Sequence, residues 1–394
     1  MGEGIDMGES VTTFSFPTTI YFGPGAIGKL PLVLGELGID KPLVVTDEGL
    51  KAAGIVDRAL SPLKKEGGAF SLFSGVHANP TVKDAQAGAA AYEEQGCDGL
   101  MALGGGSPLD AAKAIAVLAA NPGPLTRYDV ASGGSRDIGG ELPALIAVPT
   151  TAGTGSEVGR CAVISSSELG RKFMVCHPSL MPARAILDPE LTAGLPALLT
   201  AATGMDALTH NIEALTVEQF HPMCDAIAVK GVEMVAQYLE RAVKSPNDIE
   251  ARGQMMMAAT MGAVAFQKAL GAAHSMAHAL SAVCGMQHGL ANAICLPAVM
   301  RFNRETSAAQ YRLVARGFGI PVEEVTVADA AGFAINAVED LIRRIGLPAT
   351  LRQAGVEPGQ LPALAQKASE DGCHATNPRP CSEEDFKRLF EEVF

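Results

Sequence analysis

Aspartate and histidine recur at helical spacing in the middle of the chain. Asp206-Ala-Leu-Thr-His210 is followed by His274-Ser-Met-Ala-His278 and then by His288. Four of the chain's eight histidines thus stand in otherwise apolar, Ala- and Met-rich sequence. Residues four apart share a helix face, which puts Asp206 beside His210 and His274 beside His278. One carboxylate with several imidazoles on converging helices is a ligand set for a divalent transition metal, iron or zinc above all. One such pair alone reads as well as an ordinary helix with satisfied core histidines. Two pairs together with His288-Gly289 read better as a metal site.

The elements that must position these residues change character along the chain. Residues 14–22 are aromatic and β-branched and end at the turn Gly23-Pro24-Gly25. Strand patterns at Pro42–Asp47, Phe70–Phe73, Gly99–Leu103 and Ala144–Val148 then alternate with helical ones at Val82–Gln95 and Pro108–Ala120. Alternation of this kind means βαβ units and a parallel sheet, with ligands beyond the carboxyl ends of the strands. After about Asp188 the strand signals stop. Leu198–Thr216, Asp225–Val243, Glu250–Ala269 and His274–Val283 read as helices. The expected organisation is an extension over 1–12, an α/β Rossmann-like parallel-sheet domain over 13–193, and an all-helical metal-binding domain over 194–394.

Two loops suit a phosphate. Gly104-Gly-Gly-Ser107-Pro-Leu-Asp110 joins a strand to a helix, with Ser107 at the expected N-cap, and its glycines let backbone N–H groups approach an anion. A Gly-rich turn alone is also consistent with a tight connection. The next strand ends in Pro149-Thr-Thr-Ala-Gly-Thr-Gly-Ser-Glu157, a second small, hydroxyl-rich loop. Two such loops on neighbouring strands point to a pyrophosphate. Asp47 ends a strand, where a carboxylate accepts from an adenosine ribose and repels a 2′-phosphate, or simply caps the next helix. The first role favours NAD over NADP.

Composition narrows the partners. At 394 residues two domains are expected. A net charge of −13 speaks against nucleic acid and anionic membranes. No apolar run suits a spanning helix, and the acidic N-terminus is not a secretory signal. Eight cysteines without a CxxC pair fit buried thiols in a reducing cytoplasm, not a disulfide framework.

The motifs Gly104–Asp110, Pro149–Glu157, Gly204-Met-Asp-Ala-Leu-Thr-His210 and His274…His278…His288-Gly289 stand in the order and spacing of the iron-dependent (group III) alcohol dehydrogenases. Together with Asp188–Thr192 and Thr376–Arg379, the resemblance covers nearly the whole chain. It implies the dehydroquinate synthase-like fold of that family. It also implies that Asp206, His210, His274 and His288 bind the metal, Fe(II) or alternatively Zn(II). His278 resembles the family's non-ligand histidine beside the nicotinamide. Asp47, Asn79, Gly105, Gly106, Ser107, Thr150, Thr151 and Thr154 resemble cofactor contacts, and Asp110 of the same motif is counted with them. The implied reaction is hydride transfer between nicotinamide C4 of NAD(H) and a small alcohol or aldehyde, with the metal as Lewis acid. A cytoplasmic homodimer or larger homo-oligomer is the family precedent. A lyase of the dehydroquinate synthase type would need basic residues that the metal-bearing helices lack, and a maleylacetate-reductase-like enzyme would need no metal set. Arg160 departs from the family pattern and suits either an anionic substrate group or solvent. His374 is a further candidate for the substrate pocket.

Overall fold

Continuous apolar runs bounded by turn residues build the N-terminal sheet. The computed structural model describes residues 14–394, so the expected extension over 1–12 lies outside the described residues. In chain order β1 (Thr19–Phe22), α1 (Leu30–Leu37), β2 (Pro42–Val45), α2 (Glu48–Ala52) and α3 (Ile55–Lys65) come first. They are followed by β3 (Ser71–Phe73), α4 (Val82–Glu94), β4 (Gly99–Gly104), α5 (Gly106–Ala120) and β5 (Leu145–Pro149). A hairpin of β6 (Cys161–Ser166) and β7 (Arg171–Cys176) precedes β8 (Arg184–Leu187).

Six of these strands form one parallel sheet in the order β1-β8-β5-β4-β2-β3. β2, β4 and β5 are buried along their whole length, which is why they read as apolar runs and not as alternating ones. Leu100, Met101 and Leu103 of β4 are fully covered, each stabilising the fold by about 2 kcal/mol on leaving water. From β2 the chain adds β3 on one side and then β4 on the other. The loops leaving β2 and β4 therefore diverge at their carboxyl ends, where sheets of this kind take ligands.

The hairpin goes unmarked in the sequence reading. Half of the β6 residues are only partly buried, and the pair stands apart from the main sheet. It also corrects the expectation for the cysteines. Cys161 and Cys176 lie opposite each other in the antiparallel register and form a disulfide, while the other six cysteines are free thiols. Pairing across a hairpin, not a spacing motif, brings the two together.

The helices that follow are α6 (Ala197–Thr216), α7 (Pro222–Lys244), α8 (Ile249–Ala265), α9 (Ala272–Cys284) and α10 (His288–Phe302). After them come α11 (Ala308–Gly317), α12 (Val327–Arg344), α13 (Leu361–Ser369) and α14 (Glu383–Glu392). The chain divides into two compact units. One comprises Pro17–Thr200 with Arg241–Thr260, the other 14–16 with Ala201–Glu240 and Met261–Phe394. α8 stops four residues before the expected end at Ala269. A 3-10 turn, Phe266–Lys268, follows, and Ala269 takes φ 134°, a conformation that costs a residue with a side chain about 1–3 kcal/mol. That strained residue sits just ahead of α9. Among the described residues no helix is long and apolar enough to cross a membrane.

Candidate active site

Three helices of the second unit carry the donors. On α6, Asp206, His210 and Glu213 follow one another at i, i+4 and i+7, so they share a face, and all three are buried. α9 starts at a first turn whose orphan N–H groups are met from far along the chain. Ala272 N–H donates to Asn377 Oδ1 at 3.2 Å and Ala273 N–H to Glu213 Oε1 at 2.7 Å. His274 lies in this first turn and His278 one turn on. α10 is capped by Gln287, whose Oε1 accepts from Leu290 N–H at 2.7 Å, and opens with His288. Gly289 is required by close approach, because a Cβ there would stand 2.2 Å from the Ala202 carbonyl oxygen of α6. The N-terminal placement of His274 and His288 favours neutral imidazoles, the form that binds cations.

The donor atoms converge on one carboxylate oxygen. Asp206 Oδ1 is 3.7 Å from His210 Nε2, 3.7 Å from His274 Nε2 and 3.4 Å from His288 Nε2. These separations are too long for hydrogen bonds. They are close to the edge of a tetrahedron, about 3.3–3.6 Å, around an ion bonded to nitrogen and oxygen at about 2.0–2.2 Å, and Asp206, His210 and His274 offer donor atoms within 4.8 Å of one another. The donor set therefore fits a divalent transition metal. Burial opposes the charge on Asp206, but the imidazoles of His210, His288 and His274 outweigh it and hold the carboxyl well below the usual range. Burial drives His288 well below an ordinary imidazole, against the pull of Asp206. For His274 burial acts in the same direction, yet Glu213 and Asp206 prevail and raise it to about 9.

A second ring of groups aims these donors. Glu213 Oε2 lies 2.6 Å from His274 Nδ1, leaving Nε2 for the cage. Asn292 on α10 is buried and its Nδ2 donates to Asp206 Oδ1 at 2.8 Å. His278 stands beside the cage. Its ring stacks on that of His288 at 5.3 Å and its Nδ1 is 2.8 Å from Asp371 Oδ2. His374 does not join them by its side chain. Its ring packs edge-on against Phe386 and its Nε2 meets the Ser369 carbonyl, while its backbone N–H donates to Ser275 Oγ.

In the first unit the two glycine- and hydroxyl-rich loops end adjacent strands β4 and β5 and touch each other. A Cβ at Gly106 would lie 2.7 Å from Thr154 Cγ2, and one at Gly105 3.3 Å from Thr151 Oγ1. Thr150 N–H donates to the Gly104 carbonyl at 2.9 Å. Gly105, not Ser107, is the N-cap of α5, and the Ser107 hydroxyl donates to the Ala78 carbonyl at 2.6 Å. Asp47 caps α2 by accepting from Leu50 N–H at 2.9 Å, at the carboxyl end of β2. Asn79 Oδ1 accepts from Lys172 Nζ at 2.9 Å. Asp110 turns inward: Ser156 Oγ donates to its Oδ1 at 2.6 Å and Val163 N–H to its Oδ2 at 3.0 Å. Lys113, fully buried one turn on, donates to the Ser156 carbonyl and hydroxyl and to the Cys161 carbonyl. Burial brings its pKa down to about 8, with Asp110 and Glu157 opposing.

Comparison with known proteins bears on both units. The sequence model described as iron-containing alcohol dehydrogenase matches residues 17–189, and that of the C-terminal part of the same family matches residues 200–394. The chain belongs to the iron-containing alcohol dehydrogenase family. Among its relatives is the 4-hydroxybutyrate dehydrogenase of Cupriavidus necator, 42% identical over 95% of this chain and 98% of that protein. The crystal structure of a 1,3-propanediol oxidoreductase superposes with TM-score 0.92 at 36% identity, covering 97% of this chain and all of that one. A sulfoacetaldehyde reductase from Bifidobacterium kashiwanohense in complex with NAD+ superposes with TM-score 0.85 at 28% identity, covering 98% and 99%. As a family member this dehydrogenase is an oxidoreductase interconverting alcohols and aldehydes.

Three residues of the dehydrogenase's site escape the sequence reading. Glu213 and Asn292 both carried a usable signal, since they stand seven residues after Asp206 and four after His288, on the faces already in use. Asp371 carried none, because a loop close to the chain's end brings it to His278.

Proposed function

We propose that Asp206, His210, His274 and His288 hold one Fe(II), and that the enzyme transfers hydride between NAD(H) and a short primary alcohol or its aldehyde bearing a second polar group. The observation that carries this reading is the set of three imidazole nitrogens at 3.4–3.7 Å from one buried carboxylate oxygen. Zn(II) suits the same donors. A divalent ion held there supplies Lewis-acid polarisation of the alcohol or carbonyl oxygen. His278 takes the hydroxyl proton on oxidation and returns it on reduction.

Gly105, Gly106, Ser107, Thr150, Thr151 and Thr154, on the two touching loops, cradle the pyrophosphate, with Asn79 beside them. Asp47 at the end of β2 favours a free ribose 2′-hydroxyl and hence NAD over NADP. Asp110, assigned to the cofactor by its motif, acts through Ser156 by holding the second loop. The second polar group on the substrate is suggested by the relatives named for 4-hydroxybutyrate, 1,3-propanediol and sulfoacetaldehyde. A cytoplasmic homodimer completes the reading, with β1, one of the two edge strands of the sheet, available to a second copy.

The decisive test is NADH oxidation by metal-stripped protein given Fe(II) or Zn(II) without oxygen, over a panel of short neutral and anionic ω-substituted aldehydes. Turnover returning with one ion supports the assignment and ranks the substrates. Full turnover in protein shown to hold no metal would end it.

A further inference from the structure

The loop that contributes Asp371 sets a carboxylate against the His278 ring. Asp371 caps the 3-10 turn Gly372–Thr376 and uses both carboxylate oxygens. Its Oδ1 accepts from Cys373 N–H at 2.9 Å and from Ser275 Oγ at 2.8 Å. The Ser275 hydroxyl is oriented in turn, because its oxygen accepts from His374 N–H at 2.9 Å and its hydrogen is left for Asp371. Asp371 Oδ2 faces His278 Nδ1 at 2.8 Å. Ser275 and His278 are three residues apart on α9, so one carboxylate spans two positions of the same helix face. Burial opposes the charge on Asp371, but the bonds from His278, Cys373 and Ser275 hold its carboxyl well below the ordinary range. An ionised carboxylate only accepts, so the nitrogen opposite it must carry hydrogen.

We propose that Asp371 is a positioning residue that fixes His278 as the Nδ1–H tautomer, leaving the lone pair of Nε2 to take the proton released from the alcohol hydroxyl. The inference rests on the dehydrogenase reading above. In each turnover the hydride leaves with NAD and the proton with His278, and the reverse reaction returns both.

The carboxylate's environment makes an unusual forecast. In Asp371→Asn the amide oxygen must stay with Cys373 N–H, a fixed donor, so its NH2 faces His278. The imidazole must then accept at Nδ1 and carry its hydrogen on Nε2, the wrong tautomer for a base. Asp371→Ala instead leaves His278 free to adopt either form. The near-isosteric D371N is therefore the slower enzyme, with kcat reduced about 100-fold or more and KM changed little, while D371A loses less. A purely structural role would produce the opposite ranking.

The test uses zinc-loaded wild type, D371N and D371A, with kcat and KM, zinc content, and two-bond 15N–1H spectra of histidine-labelled protein. Nδ1–H for His278 in the wild type, Nε2–H in D371N and undiminished zinc in both variants are expected. D371A as slow as D371N, an unchanged His278 tautomer, or zinc lost from D371N would each overturn the assignment. The spectra read the tautomer without turnover, so an inactive wild type would count against the dehydrogenase reading and not against the dyad.

Discussion

The donor cage on the helices and the glycine-rich loops of the sheet solve the same problem by different means. In the cage, chemistry-bearing side chains sit on regular helices, and the groups that aim them sit on those helices too. Asp206, His210 and Glu213 share α6, and His288 and Asn292 share α10. In the loops the chemistry is backbone, and order is imposed from behind. Asp110 and Lys113 of α5 reach across to Ser156, Cys161 and Val163 and tie the second loop to the first. Precision in one region comes from helical periodicity, in the other from a few buried long-range hydrogen bonds.

That contrast can be broken at graded cost. The largest effect is expected from Asp206→Ala or His274→Ala, which should leave the protein without tightly held metal and cut turnover roughly a thousandfold or more, with NADH binding retained. Metal analysis alongside NADH titration separates the two regions, and a variant that keeps its metal would refute the cage. Next comes Glu213→Gln, which keeps the shape and loses the charge behind His274. Competition with a chelator should show metal affinity weakened about 10–100-fold. Gly106→Ala tests the other region. Its Cβ meets Thr154 Cγ2 at 2.7 Å, and NADH affinity should fall about tenfold, near 1.4 kcal/mol, with metal content unchanged.

The smallest effects are those of pH, and they have opposite signs. His274 in the metal-free protein is raised to about 9 despite burial, chiefly by Glu213 and Asp206. Its contribution to apoprotein stability is complete below about 6.5 and disappears as pH rises through 9. A cation must displace that proton, so metal affinity should climb as pH rises from 7 towards 9. Lys113 is lowered to about 8 by burial. Its buried charge destabilises the fold below pH 8, and stability from this group should increase between about 8 and 10.5. Denaturant melts of apoprotein with Lys113→Met as reference would distinguish the two, and a Lys113→Met difference that does not vary with pH would contradict the assignment.

The same contrast governs what can be read from the sequence. Asp206, His210, His274 and His278 declare themselves because helical spacing is visible in a string of letters, and β2, β4 and β5 do so because a strand buried on both faces is an uninterrupted apolar run. The hairpin of β6 and β7 does not, since its pairing and the Cys161–Cys176 bond arise only once the two strands meet. Asp110 shows the complementary case. Its place in a glycine-rich motif suggests the ligand, whereas its bonds go to Ser156 and Val163. Asp371, 93 residues from His278 along the chain, is fixed by tertiary contact alone.

Glu213 has one more implication. One of its oxygens receives the Ala273 N–H in the first turn of α9, and the other faces the His274 ring on that helix. A single carboxylate thus holds part of the helix's first turn, beside Asn377, and also turns its imidazole. Truncating this side chain removes both contacts in one mutational step, whereas Glu213→Gln keeps an oxygen for Ala273 and changes only the partner of His274. Directed evolution of this enzyme should accordingly accumulate its beneficial substitutions around an unaltered Glu213.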